Sequence, residues 1–100
     1  LPYPTLIDDS VLIGFRKSLP VAKQLLQQGY YISFGAALLQ DASLQMCFKQ
    51  LPLDQLFLET DDSPIAIDEV YETAAKVLQT EIENVILPIQ ENFNRIFKLA

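Results

Sequence analysis

Apolar and polar positions along the chain fall into blocks whose period changes. Val11-Leu12-Ile13-Gly14-Phe15 is a short, unbroken apolar run, as expected of a strand buried on both faces. Arg16-Lys17 closes it. Ser18 followed by Pro20 then marks a helix start, because a serine hydroxyl can accept from first-turn amides and a proline there forfeits no hydrogen bond. Within that helix Val21/Leu25 and Ala22/Leu26 repeat at i, i+4 and draw one apolar stripe, which Gly29 ends. Tyr30-Tyr31-Ile32-Ser33-Phe34, aromatic and β-branched and closed by Gly35, predicts a second strand. Asp41 caps a second helix with Leu44, Cys47, Phe48 and Leu51 on one face and Pro52 as its stop. Leu53 to Leu58 predicts a third strand. Past the acidic stretch "FLETDDSP", Val70, Ala74, Val77 and Leu78 trace a third helix. Thr80-Glu81-Ile82-Glu83 has the capping-box pattern that opens a last one, with Ile82, Ile86, Ile89, Phe93 and Phe97 on its inner face and Pro88 expected to kink it.

Strand and helix in alternation with short connections imply right-handed βαβ units, hence an α/β fold with a parallel sheet. Three such strands leave two unpaired edges and two faces to cover, and few charges or prolines blunt those edges. The sheet is therefore expected to continue beyond the chain, in a second copy or in a missing part of the same protein. At 100 residues the sequence is a single segment, 1–100, with no room for a second domain and no internal repeat.

Composition removes several kinds of chemistry. The chain has no histidine, so imidazole bases, histidine metal ligands and Ser-His or Cys-His pairs are excluded within it. Its net charge is -6 and its 7 Lys and Arg residues are scattered, which gives no electrostatic footprint for a nucleic-acid backbone. No apolar run is long enough to span a bilayer, and the beginning of the chain lacks the pattern of a secretory signal. A single cysteine fits a reducing compartment; a cytoplasmic location is the expectation.

The candidate chemistry sits at strand ends. Asp61, after the third strand, has the position of a rim acid in an α/β enzyme, though spacing alone equally allows it to cap the next helix. Asp62 reads as a turn or cap residue and Glu59 as structural. Arg16 and Lys17 follow the first strand and could neutralise a substrate phosphate or form a solvated loop. Ser18 is a helix cap, since nothing in the chain would activate it as a nucleophile. Cys47 shares a helix face with Leu44, Phe48 and Leu51 and reads as a small buried hydrophobe. The Tyr30-Tyr31 pair with Phe34 lacks the basic neighbours of a base-stacking platform. Gly14, Gly29 and Gly35 do not form a phosphate-binding loop.

Taken together, "GFRKS" after the first strand, "GYYISFG" as the second, "LPLDQLFLETD" as the third and "ENFNRIF" near the end resemble, in order and spacing, the last third of the TatD family of metal-dependent hydrolases. The resemblance runs from about Val11 to Leu99. It implies that the three strands are the last three βα units of a TIM (β/α)8 barrel, a fold of about 250 residues, so that the chain is a partial barrel. It further implies a deoxyribonuclease ancestry with DNA as substrate and a divalent zinc, manganese or magnesium ion as cofactor. Asp61 maps onto the aspartate of the family's "ETD" motif as metal ligand or acid/base group. The family's remaining ligands would precede Leu1, apart from a histidine expected directly before "GF". That position here is Ile13. One carboxylate does not hold a catalytic divalent ion, so the chain alone is expected to bind none and to be inactive. The alternative, from another class, is a non-catalytic partial-barrel module whose strand edges and apolar faces recruit another chain or a second copy.

Overall fold

The computed structural model describes residues 11–60 and 63–97, with the backbone alone at Phe97. Its elements are β1 (Val11–Leu12), α1 (Leu19–Gln27), β2 (Tyr31–Phe34), α2 (Ala42–Lys49), β3 (Leu56–Leu58), α3 (Ile67–Leu78) and α4 (Glu83–Phe97), with short 3-10 turns at Ala36–Leu39 and Leu53–Gln55. The three strands form one sheet in the order β1-β2-β3, parallel throughout, as the alternation of elements requires.

Register settles which residues share a face. Val11 pairs with Tyr31, Ile32 with Leu56 and Ser33 with Phe57, so Leu12, Ile32, Phe34, Leu56 and Leu58 lie on one side and Val11, Tyr31, Ser33 and Phe57 on the other. On the first side Phe34 meets the ring of Phe48 from α2 at 5.2 Å and that of Phe15 at 5.6 Å, both edge to face. On the second, Phe57 meets Tyr31 and, from α4, Phe93. Ile32, Phe34, Leu38, Phe48, Leu56, Val70, Ala74 and Val85 are wholly buried. Each of the larger ones contributes about 2 kcal/mol by leaving water.

The strands are shorter than the apolar runs that announce them. The first ends at Leu12 because Gly14 turns left-handed, with φ of 68°, which breaks the alternation and swings Phe15 onto the side of Phe34. The Phe15 amide nevertheless donates to Ser33 O at 3.0 Å, so the ladder resumes past the turn. The third strand begins at Leu56, three residues late, because Leu53–Gln55 coils into a tight turn after Pro52.

Helix starts follow the expectations unevenly. Asp41 caps α2, its Oδ1 accepting from Leu44 N at 3.0 Å, and Leu44, Cys47, Phe48 and Leu51 are all buried. Ser18 occupies the N-cap of α1 without a side-chain capping bond; it is exposed, so solvent is available to the first-turn amides. α4 opens at Glu83, and the Thr80 hydroxyl accepts from the Asn84 side chain. Of its expected inner face Ile89 is buried and Ile82 and Phe93 pack against the core, but Ile86 turns outward. Val85, Ile89 and Asn92 are buried, whereas Ile86 is 41% exposed and Leu87 61%. Pro88 lies inside this helix.

The inner face of α4 also carries a polar residue, Asn92. Its side-chain amide is fully buried and donates to Leu53 O at 2.7 Å and Leu56 O at 2.8 Å, while its Oδ1 accepts from Arg95. Those two carbonyls flank the turn that feeds β3, so one side chain fixes where the last strand starts. Unpaired buried carbonyls are costly. Asn92→Ala is expected to lower unfolding free energy by about 3 kcal/mol, read as a fall in the urea midpoint at unchanged slope.

Candidate functional site

The carboxyl ends of the three strands meet in one rim. β1 ends in Ile13-Gly14, β2 in Gly35 and β3 in Glu59-Thr60. The ladder between β2 and β3 runs to its limit, with Glu59 N donating to Phe34 O at 2.9 Å. Across the same two strands the Ser33 hydroxyl donates to Oε2 of Glu59. Ser33 is fully buried and Glu59 half-buried. The carboxylate reaches further still: a Cβ placed on Gly35 would lie 3.4 Å from both Cγ and Oε1 of Glu59, and one on Gly14 would lie 3.8 Å from Oε1. A single carboxylate therefore lies near the ends of β1 and β2 as well as at the end of its own strand.

Neither member of that pair was a candidate from sequence. The available signal was a lone serine in the otherwise aromatic and aliphatic run of β2, on the same face as Glu59 once the register is known. Without the register nothing connects residues 26 apart.

Asp61 and Asp62 lie outside the described residues. The helix that follows them does bear on Asp61. α3 starts at Ile67 with Ala66 at its N-cap, and Ser63 makes a local turn, its N–H donating to Thr60 O and its hydroxyl accepting from Ile65 N. Asp61 precedes that N-cap by five positions in the sequence.

Ile13 is 50% exposed at the end of β1, a hydrocarbon where the family resemblance calls for an imidazole. Arg16 and Lys17 are both exposed and line a groove of about 470 Å³ between the β1–α1 loop and α2, with Ser18, Leu19, Asp41 and Met46 among its other walls. They thus stand beside α2, and Asp41 in the same groove is committed to its cap. Among the described residues no three carboxylate, thiol or imidazole groups cluster to hold a metal ion. The donors described at this rim do not make up a divalent-ion site.

The comparisons with known proteins follow this geometry. Residues 7–98 match the family model described as TatD related DNase. The chain belongs to the TatD family. The TatD homologue YJJV of Escherichia coli K12 is similar in structure, with a TM-score of 0.80 and 23% sequence identity over 90% of this chain. A TatD family hydrolase of Entamoeba histolytica is similar with a TM-score of 0.73 and 15% identity over 84%. The chain spans only 40% of the length of either structure. Its parallel strands and alternating helices are thus a partial TatD barrel, and the free edges of the three-stranded sheet are those of an incomplete cylinder. No curated protein matches the chain. Among the described residues no helix is long and apolar enough to cross a membrane.

Burial pushes the Cys47 thiol above its ordinary 9.0 and the Tyr71 phenol above its ordinary 10.0. Both are acids held neutral by the fold. Their contribution to stability is complete below the unfolded values and is lost as pH climbs from those values through the raised ones. The unfolding midpoint is expected to fall once pH passes about 9, and Cys47→Ala to remove part of that slope.

Proposed function

We propose that this chain supplies the last three βα units of a TatD-type hydrolase that cleaves phosphodiester bonds of DNA, and that by itself it is catalytically silent. The observation that carries this reading is the family match across residues 7–98 combined with a chain that covers 40% of its structural relatives. Strand ends at the carboxyl face are where barrel enzymes place their reacting groups. In the completed barrel Asp61 would take the water's proton or join the acidic ligands, a reading supported by its place directly after β3 in a chain of this family. Arg16 and Lys17 would contact substrate phosphate from the groove beside α2, as exposed cations on loops that follow strand ends. The donors among the described residues do not make up a site for zinc, manganese or magnesium. A cytoplasmic location belongs to the same reading.

The exposed apolar side chains favour a second reading. Ile13, Met46, Ile86 and Leu87 all present large hydrophobic surface to solvent, at 50%, 58%, 41% and 61% exposure. A partial barrel with such surface and open strand edges could serve as an assembly module, pairing with a second copy. Native mass separates the two: a stable dimer that turns over nothing favours assembly, and a monomer argues against it.

Incubated with DNA and zinc, manganese or magnesium, the purified chain is expected to show no turnover above background. Turnover that disappears in Asp61→Asn would overturn its silence. Joined to amino-terminal strands that complete the barrel, the chain should become active, with Asp61→Asn costing about 100-fold in kcat and Arg16→Glu or Lys17→Glu acting mainly on KM. A completed barrel that folds and turns over nothing removes the hydrolase reading.

A further inference from the structure

The groove beside α2 offers more than two cations. Its lining reaches from Asp41, the cap of α2, to Gln50, directly after the last residue of that helix, so the groove follows α2 along its whole length. Eight helical residues rise about 12 Å, the reach of about four residues of extended chain. On this wall Ala42, Met46 and Gln50 stand at i, i+4, i+8, and all three are exposed. Met46 is 58% exposed, an unbranched thioether that moulds to what it meets. The other wall is the β1–α1 loop, where Arg16 and Lys17 are exposed beside Leu19.

Charge in the groove runs opposite to charge on the chain. The sequence carries -6 in all, whereas the described lining holds two cations against one acid, Asp41, whose Oδ1 is taken by Leu44 N. A nucleic-acid strand laid along α2 would need further cations to follow its phosphates, and that wall gives it none. The hydrolase reading sets one substrate phosphate against Arg16 and Lys17 and leaves the α2 wall unused. A short peptide with carboxylates around an apolar side chain meets both walls at once.

We infer that the groove between the β1–α1 loop and α2 docks an acidic peptide segment of a partner protein, its apolar side chain on Met46 and Leu19 and its carboxylates on Arg16 and Lys17. This goes beyond the hydrolase reading and stands without it, because a silent barrel keeps the same groove.

Fluorescence anisotropy of the 100-residue chain tests it, with a labelled peptide in which single leucines alternate with pairs of glutamates. Binding with a Kd of about 10–100 μM is expected. Arg16→Glu and Lys17→Glu should each weaken it about tenfold, and Met46→Gln about fivefold, with the circular dichroism spectrum unchanged since all three side chains are exposed. A peptide of glutamates alone should bind about tenfold more weakly. Absence of binding at about 1 mM chain would overturn the inference. So would affinity that neither Met46→Gln nor removal of the leucines changes, which reduces the groove to two surface charges. Displacement of the peptide by an oligothymidylate more readily than by unlabelled peptide also overturns it, assigning the groove to nucleic acid and leaving the hydrolase reading in place.

Discussion

Parallel pairing of β2 with a neighbour on each side is the constraint from which everything else in this chain follows. Its register places Ser33 beside Phe57 and therefore within reach of Glu59, and it places the ends of three strands, far apart in sequence, along one edge. A shift of one residue would exchange Ser33 and Phe34 between the two faces, taking the hydroxyl away from Glu59 and leaving it a buried orphan. Two aromatic clusters hold the register, Phe15-Phe34-Phe48 on one side and Tyr31-Phe57-Phe93 on the other.

The two ends of β3 are then secured by different means. At its start Asn92, carried by the last helix, donates to the carbonyls on either side of the Leu53–Gln55 turn. At its finish the Glu59 backbone and side chain both bond to β2. The strand between them is only Leu56–Leu58, yet all three of its residues are buried. Such a short strand is held by hydrogen bonds at its ends as well as by its own pairing: "LPLDQLFLETD" contains the carbonyls and "ENFNRIF" the amide that donates to them.

Membership of the TatD family and a partial barrel are consistent with what the rim contains and with what it does not. A barrel distributes its reacting groups over the ends of many strands, so a segment carrying three of them holds a fraction of any site. The half-exposed Ile13 and the exposed Ile86 and Leu87 are surfaces for which a closed cylinder, or another chain, is the natural cover.

The sequence by itself determined the order and type of the elements, the parallel sense of the sheet, the Asp41 cap and the core of α2, because each is written in a local period or a residue at a helix end. It also showed the family, through four motifs in register, and the want of histidine. Tertiary structure alone decided where strands stop, as at Gly14, where a backbone turn cuts short an apolar run that reads as continuous. It decided that Asn92 joins the inner face of α4, since a buried asparagine is chosen by carbonyls 36 and 39 residues away and no helical period can announce it. And it decided that Ser33 and Glu59 belong together, because a hydrogen bond across a sheet depends on the register between strands, and register is a property of the packed whole.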